Sequence, residues 1–396
     1  MNVQSAPRPK EDGAPRVSGL PSLTGLRFFA AMAVFLYHVT SFQLTPFGGG
    51  TAQQAGRILG VAGGLGVAFF FILSGFILTW SARPDDAPRA FLRRRLVKLY
   101  PNHLVTFVLA LVVFAGATGW KTWLPNILLV QTWSWDPAVS FGVNGPSWSL
   151  GCELVFYLCF PLLYRWIRSI EPRRLWAWAC AFVAAVMALP AFAYAALAGG
   201  PTMPGLPVNA VQSWFVYQLP PVRMLEFVLG MLLARIVLTD RWIGVRIHHA
   251  LALCAVGYVV ALDVPFLYTL SATWAIPIAL LIPAVAVADI QGRRSPFRGR
   301  VMTWLGEVSF AFYLLQASVL TGGAVLLADH RPFGTMAALG LCLLAWALIL
   351  TSAHVLHLLV ERPAMRHWSR PRAAGRHGAR TAPPVQDAAV DRIGTS

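Results

Sequence analysis

The chain has 396 residues, 57% apolar and only 12% charged, with a mean hydropathy of +0.61. A water-soluble globule cannot cover that much apolar surface, so composition excludes that class and points to an integral membrane protein. The net charge of +16 does not indicate a nucleic-acid partner, because the basic residues lie in short segments between apolar runs, as the positive-inside rule distributes them.

Taken in order, residues 1–20 are polar and basic and read as a disordered cytosolic tail, and no small-residue cleavage pattern follows the first apolar run. The first crossing is expected at 24–44 and the second at 58–80, joined by a Gly-rich exterior loop. A dense basic segment follows, with Arg83, Arg89, Arg93, Arg94, Arg95 and Lys98, and the charge rule makes it cytosolic. The third crossing is expected at 103–119; residues 123–135 are too short to cross, and their Trp side chains suit the outer interface. Crossings at 146–164, 175–198, 219–238, 249–262 and 270–288 are separated by the Arg165–Arg174, Arg241–Arg246 and Arg293–Arg300 segments on the inner side. The last two crossings are expected at 301–327 and 335–360, before a basic tail over 361–396.

The fold expected is therefore all-α: a single multi-pass bundle over 21–360, with about ten transmembrane helices, in the plasma membrane, both termini cytosolic. Arg57, Lys121 and Arg331 are the basic residues that this topology leaves outside. The five cysteines, Cys152, Cys159, Cys180, Cys254 and Cys342, have no paired spacing and read as core fillers, so no metal and no permanently bound cofactor is expected.

Ionisable residues inside the apolar runs are the functional candidates, since burying an unpaired charge in hydrocarbon costs several kcal/mol. Arg27 and His38 are eleven residues apart, which on a helix returns them to within about 20° of one face and about 16 Å along the axis. Arg27 then stands at the inner rim and His38 near mid-membrane. The plainer alternative is that Arg27 snorkels to lipid phosphate while His38 bonds a neighbouring helix. Glu153 lies in the fourth crossing. Arg223 and Glu226, one turn apart, pair with each other. Glu307 stands at the inner end of the ninth. A guanidinium beside Arg95 and Lys98 suits phosphates, and a neutral imidazole deeper in suits removing a proton from a hydroxyl. A ligand with a phosphate head and a long thin arm, such as acyl-coenzyme A, has that shape.

These residues carry a resemblance covering nearly the whole membrane region. The chain resembles the membrane acyltransferase-three family, which includes O-antigen and exopolysaccharide O-acetylases and macrolide acyltransferases. The family's Arg and His in the first helix are Arg27 and His38. Its Phe-Phe-x-Leu-Ser-Gly-Phe matches Phe70 to Phe76, its Arg-x-x-Arg-x-x-Pro matches Arg95, Lys98 and Pro101, and its Ser-Trp-Ser-Leu-x-x-Glu runs from Ser147 to Glu153. Arg223, Phe227 and Gly230, then Leu305 to Leu314, then Glu361 to Pro363 match three further stretches. The resemblance implies transfer of an acyl group, usually acetyl, from cytosolic acyl-CoA to a hydroxyl of a carbohydrate-containing acceptor. It makes Arg27, His38 and Glu153 the catalytic set, with His38 as base or acyl relay. It gives Arg27, Arg95, Lys98 and Ser74 to the donor, and Arg223, Glu226 and Glu307 to structure or the acceptor side. Three positions depart from the pattern: Lys98 replaces Arg, Gln316 replaces a frequent His, and Ala68 replaces a frequent Asp. A proton-coupled transporter or flippase is the alternative reading of the buried charges, but no paired halves with broken helices are evident.

Overall fold

The computed structural model describes residues 19–40, 45–83, 86–203, 205–327 and 333–368. Most of both expected tails, and the end of the expected first crossing at 41–44, lie outside the described residues. The described chain is helical, with two isolated β-bridges, Phe47 to Phe333 and Thr202 to Asn209. Its long helices are α1 (Pro21–Thr40), α2 (Ala62–Trp80), α3 (Pro88–Ala110), α4 (Trp148–Ser169) and α5 (Leu175–Ala196), then α6 (Pro220–Leu238), α7 (Ile247–Ala261), α8 (Ala272–Ile290), α9 (Arg300–Leu326) and α10 (Thr335–Leu356).

Each of the ten expected crossings has its helix. Eight helical segments are long and apolar enough to span a membrane. The other two are α6, which carries Arg223, Glu226 and Arg235, and α7, which is 15 residues long. Two stretches read as loops are helical. The basic segment expected to precede the third crossing forms the first turns of α3, because Pro88 sits at its first turn and Ala, Leu and Arg are good helix formers. Part of the Gly-rich exterior stretch forms a short helix, Gly49–Leu59, over its Ala and Gln residues. As expected, the Trp-bearing segment does not cross: it forms Trp120–Ile127 and a turn at Gln131–Trp133, with Trp120, Trp123, Trp133 and Trp135 all exposed. Of the cysteines, Cys152 is fully buried, whereas Cys180 faces outward from α5.

Helix α2 is apolar on every side and lies at the centre, packed against α6, α1 and α8, while α1 also packs on α9 and α9 on α10 and α3. In a bilayer the tails are as apolar as Leu, so close backbone approach, rather than burial from water, holds helices together. Glycines supply it. A Cβ on Gly75 of α2 would strike the Phe227 carbonyl of α6, and one on Gly230 of α6 would strike the Ile72 carbonyl of α2. Between α1 and α9, Gly306 meets the Thr24 carbonyl in the same way. These contacts, with His38 beside Gln316, set α1 and α9 parallel, as the first and ninth helices of an up-and-down order must be. The first turn of α1 is capped from α8: Asp289 accepts from the Ser22 amide at 2.8 Å and the Ser22 hydroxyl at 2.6 Å. A carboxylate there satisfies orphan donors and meets the positive end of the helix dipole.

Replacing Gly75 or Gly230 by Leu should cost about 3 kcal/mol, since overpacking against backbone cannot relax through a rotamer. Thermal aggregation of detergent-solubilised protein measures this. Gly323→Ala and Gly340→Ala, where added Cβ atoms meet nothing within 4 Å, should leave the midpoint unchanged.

Candidate active site

Five helices enclose a narrow cavity of about 120 Å³. Helix α1 contributes Arg27, α2 Ser74, α3 Arg95 and Lys98, α4 Ser149, Glu153 and Tyr157, and α9 Phe310 and Tyr313. Helical register explains the shared face: Arg95 and Lys98 are one turn apart, and so are Glu153 and Tyr157. The Tyr157 hydroxyl donates to Glu153 Oε2 at 2.8 Å, and the Tyr313 hydroxyl lies 3.0 Å from both the Pro146 carbonyl and Ser149 Oγ. Helix α2 lines the cavity from Val67 to Leu78, a length of about 16 Å at 1.5 Å per residue. The remaining walls are largely apolar, so the space is long, thin and greasy, with charge concentrated along one side.

Three cations meet there. Lys98 is within electrostatic range of Arg27, Arg95, Glu361 and Glu153. Among the described residues no carboxylate forms an ion pair with Arg27, Arg95 or Lys98, and Arg95 Nε is buried without a hydrogen-bond partner. The Arg95 guanidinium lies over the Phe91 ring, 5.5 Å from its centroid. Like charges gathered in an apolar wall, with an unfilled donor, fit an anion supplied from outside the protein.

A second, wider cavity of about 460 Å³ adjoins the first, and Leu78 and Arg95 line both. Arg83, Arg94, Arg165 and Arg168 surround it with Asp86, which pairs with Arg94, and with Tyr164, whose ring lies under Arg168. A basic vestibule thus leads into the narrow cavity.

His38 is elsewhere. It lies in the last turn of α1 and is not among the residues lining either cavity; its Nδ1 is 2.8 Å from Gln316 Oε1 on α9. Arg27 and His38 therefore do not share this cavity, contrary to the single cleft expected from helical phase. The reason is axial separation: Gly66 of α2 packs on Ala30 and Val34, and Gly63 on Tyr37, so the deep end at Val67 stops about one turn short of the level of His38. Arg223 and Glu226 also stand apart from the cavity. They form a pair at 2.8 Å, with side chains 1% and 2% exposed, and the guanidinium lies 5.0 Å from the centroid of Phe71 and 5.6 Å from that of Tyr217. Glu307 is exposed on α9. The cavity thus gathers Arg27, Ser74, Arg95, Lys98 and Glu153, and leaves out His38, Arg223, Glu226 and Glu307.

Comparison with known proteins accounts for such a bundle. Residues 20–353 match the model of a family described as an acyltransferase domain, acyltransferase type 3. The chain belongs to this family. It is 43% identical to the acyltransferase MdmB of Streptomyces mycarofaciens over 373 residues, 90% of this chain and 95% of that protein. More distant relatives match parts: nodulation protein 10 of Rhizobium leguminosarum bv. viciae at 32% identity, over 31% of this chain and 38% of that protein, and the O-acetyltransferase OatA of Staphylococcus aureus at 27%, over 39% and 26%. No solved structure matches the chain. The protein is a membrane acyltransferase.

Several residues around these cavities carry no mark in the sequence as site residues. Arg83, Arg165 and Arg168 counted only as inner-side charge, though their place at both ends of adjoining helices was a usable signal. Tyr157 is one turn from Glu153 and could have been picked out by spacing. The pairing of Glu361, already marked by its Glu-x-Pro stretch, with Asn102 could not be read from spacing: Asn102 Nδ2 donates to Glu361 Oε2 at 2.9 Å across 259 positions, setting that carboxylate one turn from Lys98 on α3. Filling the narrow cavity should separate binding from folding. Ser74→Phe is expected to raise the KM for the acyl donor at least tenfold, with a thermal midpoint within a few degrees of the wild type, as read by steady-state kinetics and a melting scan.

Proposed function

We propose that this acyltransferase takes its acyl group, acetyl in the simplest case, from cytosolic acyl-CoA and transfers it to a hydroxyl of a glycan or glycosylated natural product. One observation carries the reading: a vestibule of arginines that opens, at Arg95 and Leu78, into a thin apolar cavity lined by three cations that form no ion pair among the described residues. Nucleotide phosphates match the first space and an acyl-bearing pantetheine arm matches the second. The vestibule arginines stand on segments that the positive-inside rule assigns to the cytosol, with both termini on that side of the plasma membrane.

In this reading Arg83, Arg165 and Arg168 hold the nucleotide, and Arg27, Arg95 and Lys98 meet the remaining phosphate charge and orient the arm. Glu153, bonded to Tyr157, faces the arm from α4. The rings of Phe70 and Tyr313, whose centroids are 6.1 Å apart, pack against each other, and they must swing apart for the thioester to travel beyond the cavity to the level of His38. There the imidazole removes the acceptor's hydroxyl proton as its oxygen attacks the carbonyl carbon. A C–O bond forms, the C–S bond breaks, and the proton passes from the imidazole to the departing thiolate.

Truncated donors test each part. Arg165→Glu together with Arg168→Glu should raise the KM for acetyl-CoA by tenfold or more and flatten or reverse its salt dependence, because the attraction that salt screens is lost, while leaving the rate with S-acetyl-pantetheine, which lacks the nucleotide, unchanged. An equal loss with both donors would remove the nucleotide from the vestibule. Arg27→Lys, which keeps charge but loses the planar fork, should raise the KM for acetyl-CoA several-fold. His38→Ala should abolish transfer of label from acetyl-CoA while the protein stays in the membrane at wild-type amount; transfer undiminished in that variant would end the role given to the imidazole.

A further inference from the structure

Behind His38 stands a residue that the family pattern leaves without a role. Gln316 is fully buried on α9 and makes two hydrogen bonds into α1. Its Nε2 donates to the Ala31 carbonyl at 3.1 Å, and its Oε1 is 2.8 Å from His38 Nδ1. The first bond fixes the second. The Ala31 carbonyl can only accept, so the amide nitrogen must face it; the reversed amide would set two oxygen lone pairs against each other. The amide oxygen then faces His38 Nδ1 and can only accept there, so Nδ1 carries the proton. In the neutral ring the lone pair is left on Nε2.

We propose that Gln316 is the positioning residue for His38: it holds the imidazole in the tautomer whose Nε2 accepts the acceptor's hydroxyl proton, and it holds the ring plane against α9. The proposal rests on the reading of His38 as the base. A carboxamide is chemically suited to this part of the task alone. It accepts a hydrogen bond but does not take up a proton near neutral pH, so the proton gained at Nε2 has no relay through Nδ1 and must return to the leaving thiolate from the same nitrogen. This differs from the carboxylate partner of a serine-protease histidine, which also stabilises the imidazolium by charge. It also accounts for how Gln can stand where other members have His: the position needs a buried acceptor facing Nδ1, and the Ala31 carbonyl ensures that the amide presents one.

The test compares wild type, Gln316→Met, which keeps length but removes the acceptor, Gln316→Glu, which retains an acceptor oxygen, and His38→Ala, all in membranes. Two readouts are needed: steady-state kinetics with acetyl-CoA, and the ¹⁵N spectrum of histidine-labelled protein, with the His38 signals assigned by their loss in His38→Ala. Wild type is expected to show Nδ1 protonated. Gln316→Met should lose that preference and drop kcat by about 10–100-fold, as partners that orient an imidazole do when removed, with the donor KM unchanged. Gln316→Glu should recover much of both. A wild-type spectrum with Nε2 protonated, an unaltered tautomer in Gln316→Met, or a wild-type kcat in that variant would each overturn the proposal. Should His38→Ala prove as active as wild type, the base itself is lost and with it the catalytic meaning of Gln316, whereas the wild-type and Gln316→Met spectra report the positioning contact without reference to turnover.

Discussion

The constraint on which this structure turns is the cost of holding positive charge inside an apolar bundle. Arg27, Arg95 and Lys98 meet along one wall of a greasy cavity, and no carboxylate forms an ion pair with any of them among the described residues. An arrangement of that kind costs several kcal/mol per uncompensated ion. The contrast with Arg223 and Glu226 is instructive: more deeply buried than the cavity cations, that guanidinium is neutralised by a carboxylate one turn away and stacked against two aromatic rings. One set of charges is paired within the protein; in the proposed reading a bound anion completes the other. Both belong to the same family pattern, and the difference in their partners separates a packing element from a binding element.

Keeping such a cavity open requires the surrounding helices to be held by something other than the cavity's own contacts. Close backbone approach between α2 and α6, and between α1 and α9, supplies it. Gly75, Gly230 and Gly306 all fall in stretches that match the family, so a good part of that pattern is packing rather than chemistry. The catalytic-looking serine of Phe70 to Phe76 lines the cavity because the neighbouring glycine lets α2 lie against α6, turning Ser74 to the other side.

The separation of Arg27 and His38 divides the acyltransferase along its axis. Charge recognition lies at one end of the narrow cavity, between α1 and α3, and the imidazole lies beyond the other end, where α1 and α9 run side by side. In the proposed reading a long donor joins the two. Eleven residues, about three helical turns, separate the two side chains, which keeps the guanidinium field away from the imidazole; in the proposed reading that favours the neutral ring a base requires.

Much of this was legible in the chain itself. Runs of about twenty apolar residues bounded by arginines specify helices in lipid, because no other backbone geometry satisfies its own hydrogen bonds there; hence a helix for each of the ten expected crossings, eight of them long and apolar enough to span, and the short piece rich in Trp, were readable from residue order. Charges stranded within those runs marked Arg27, Glu153, Arg223 and Glu226 as unusual, and the family motifs supplied the reaction. Sequence periodicity describes one helix at a time, however, and it placed Arg27 and His38 on one face without knowing how far the neighbouring helices enclose that face. Only packing decided that the cavity ends at Val67, that Glu361 returns to Asn102 beside Lys98, that vestibule arginines from α3 and α4 converge, and that Gln316 reaches His38. Each of those depends on contacts between residues 26 to 278 positions apart, whose register is set by where glycines let two backbones touch, and no local pattern carries that information.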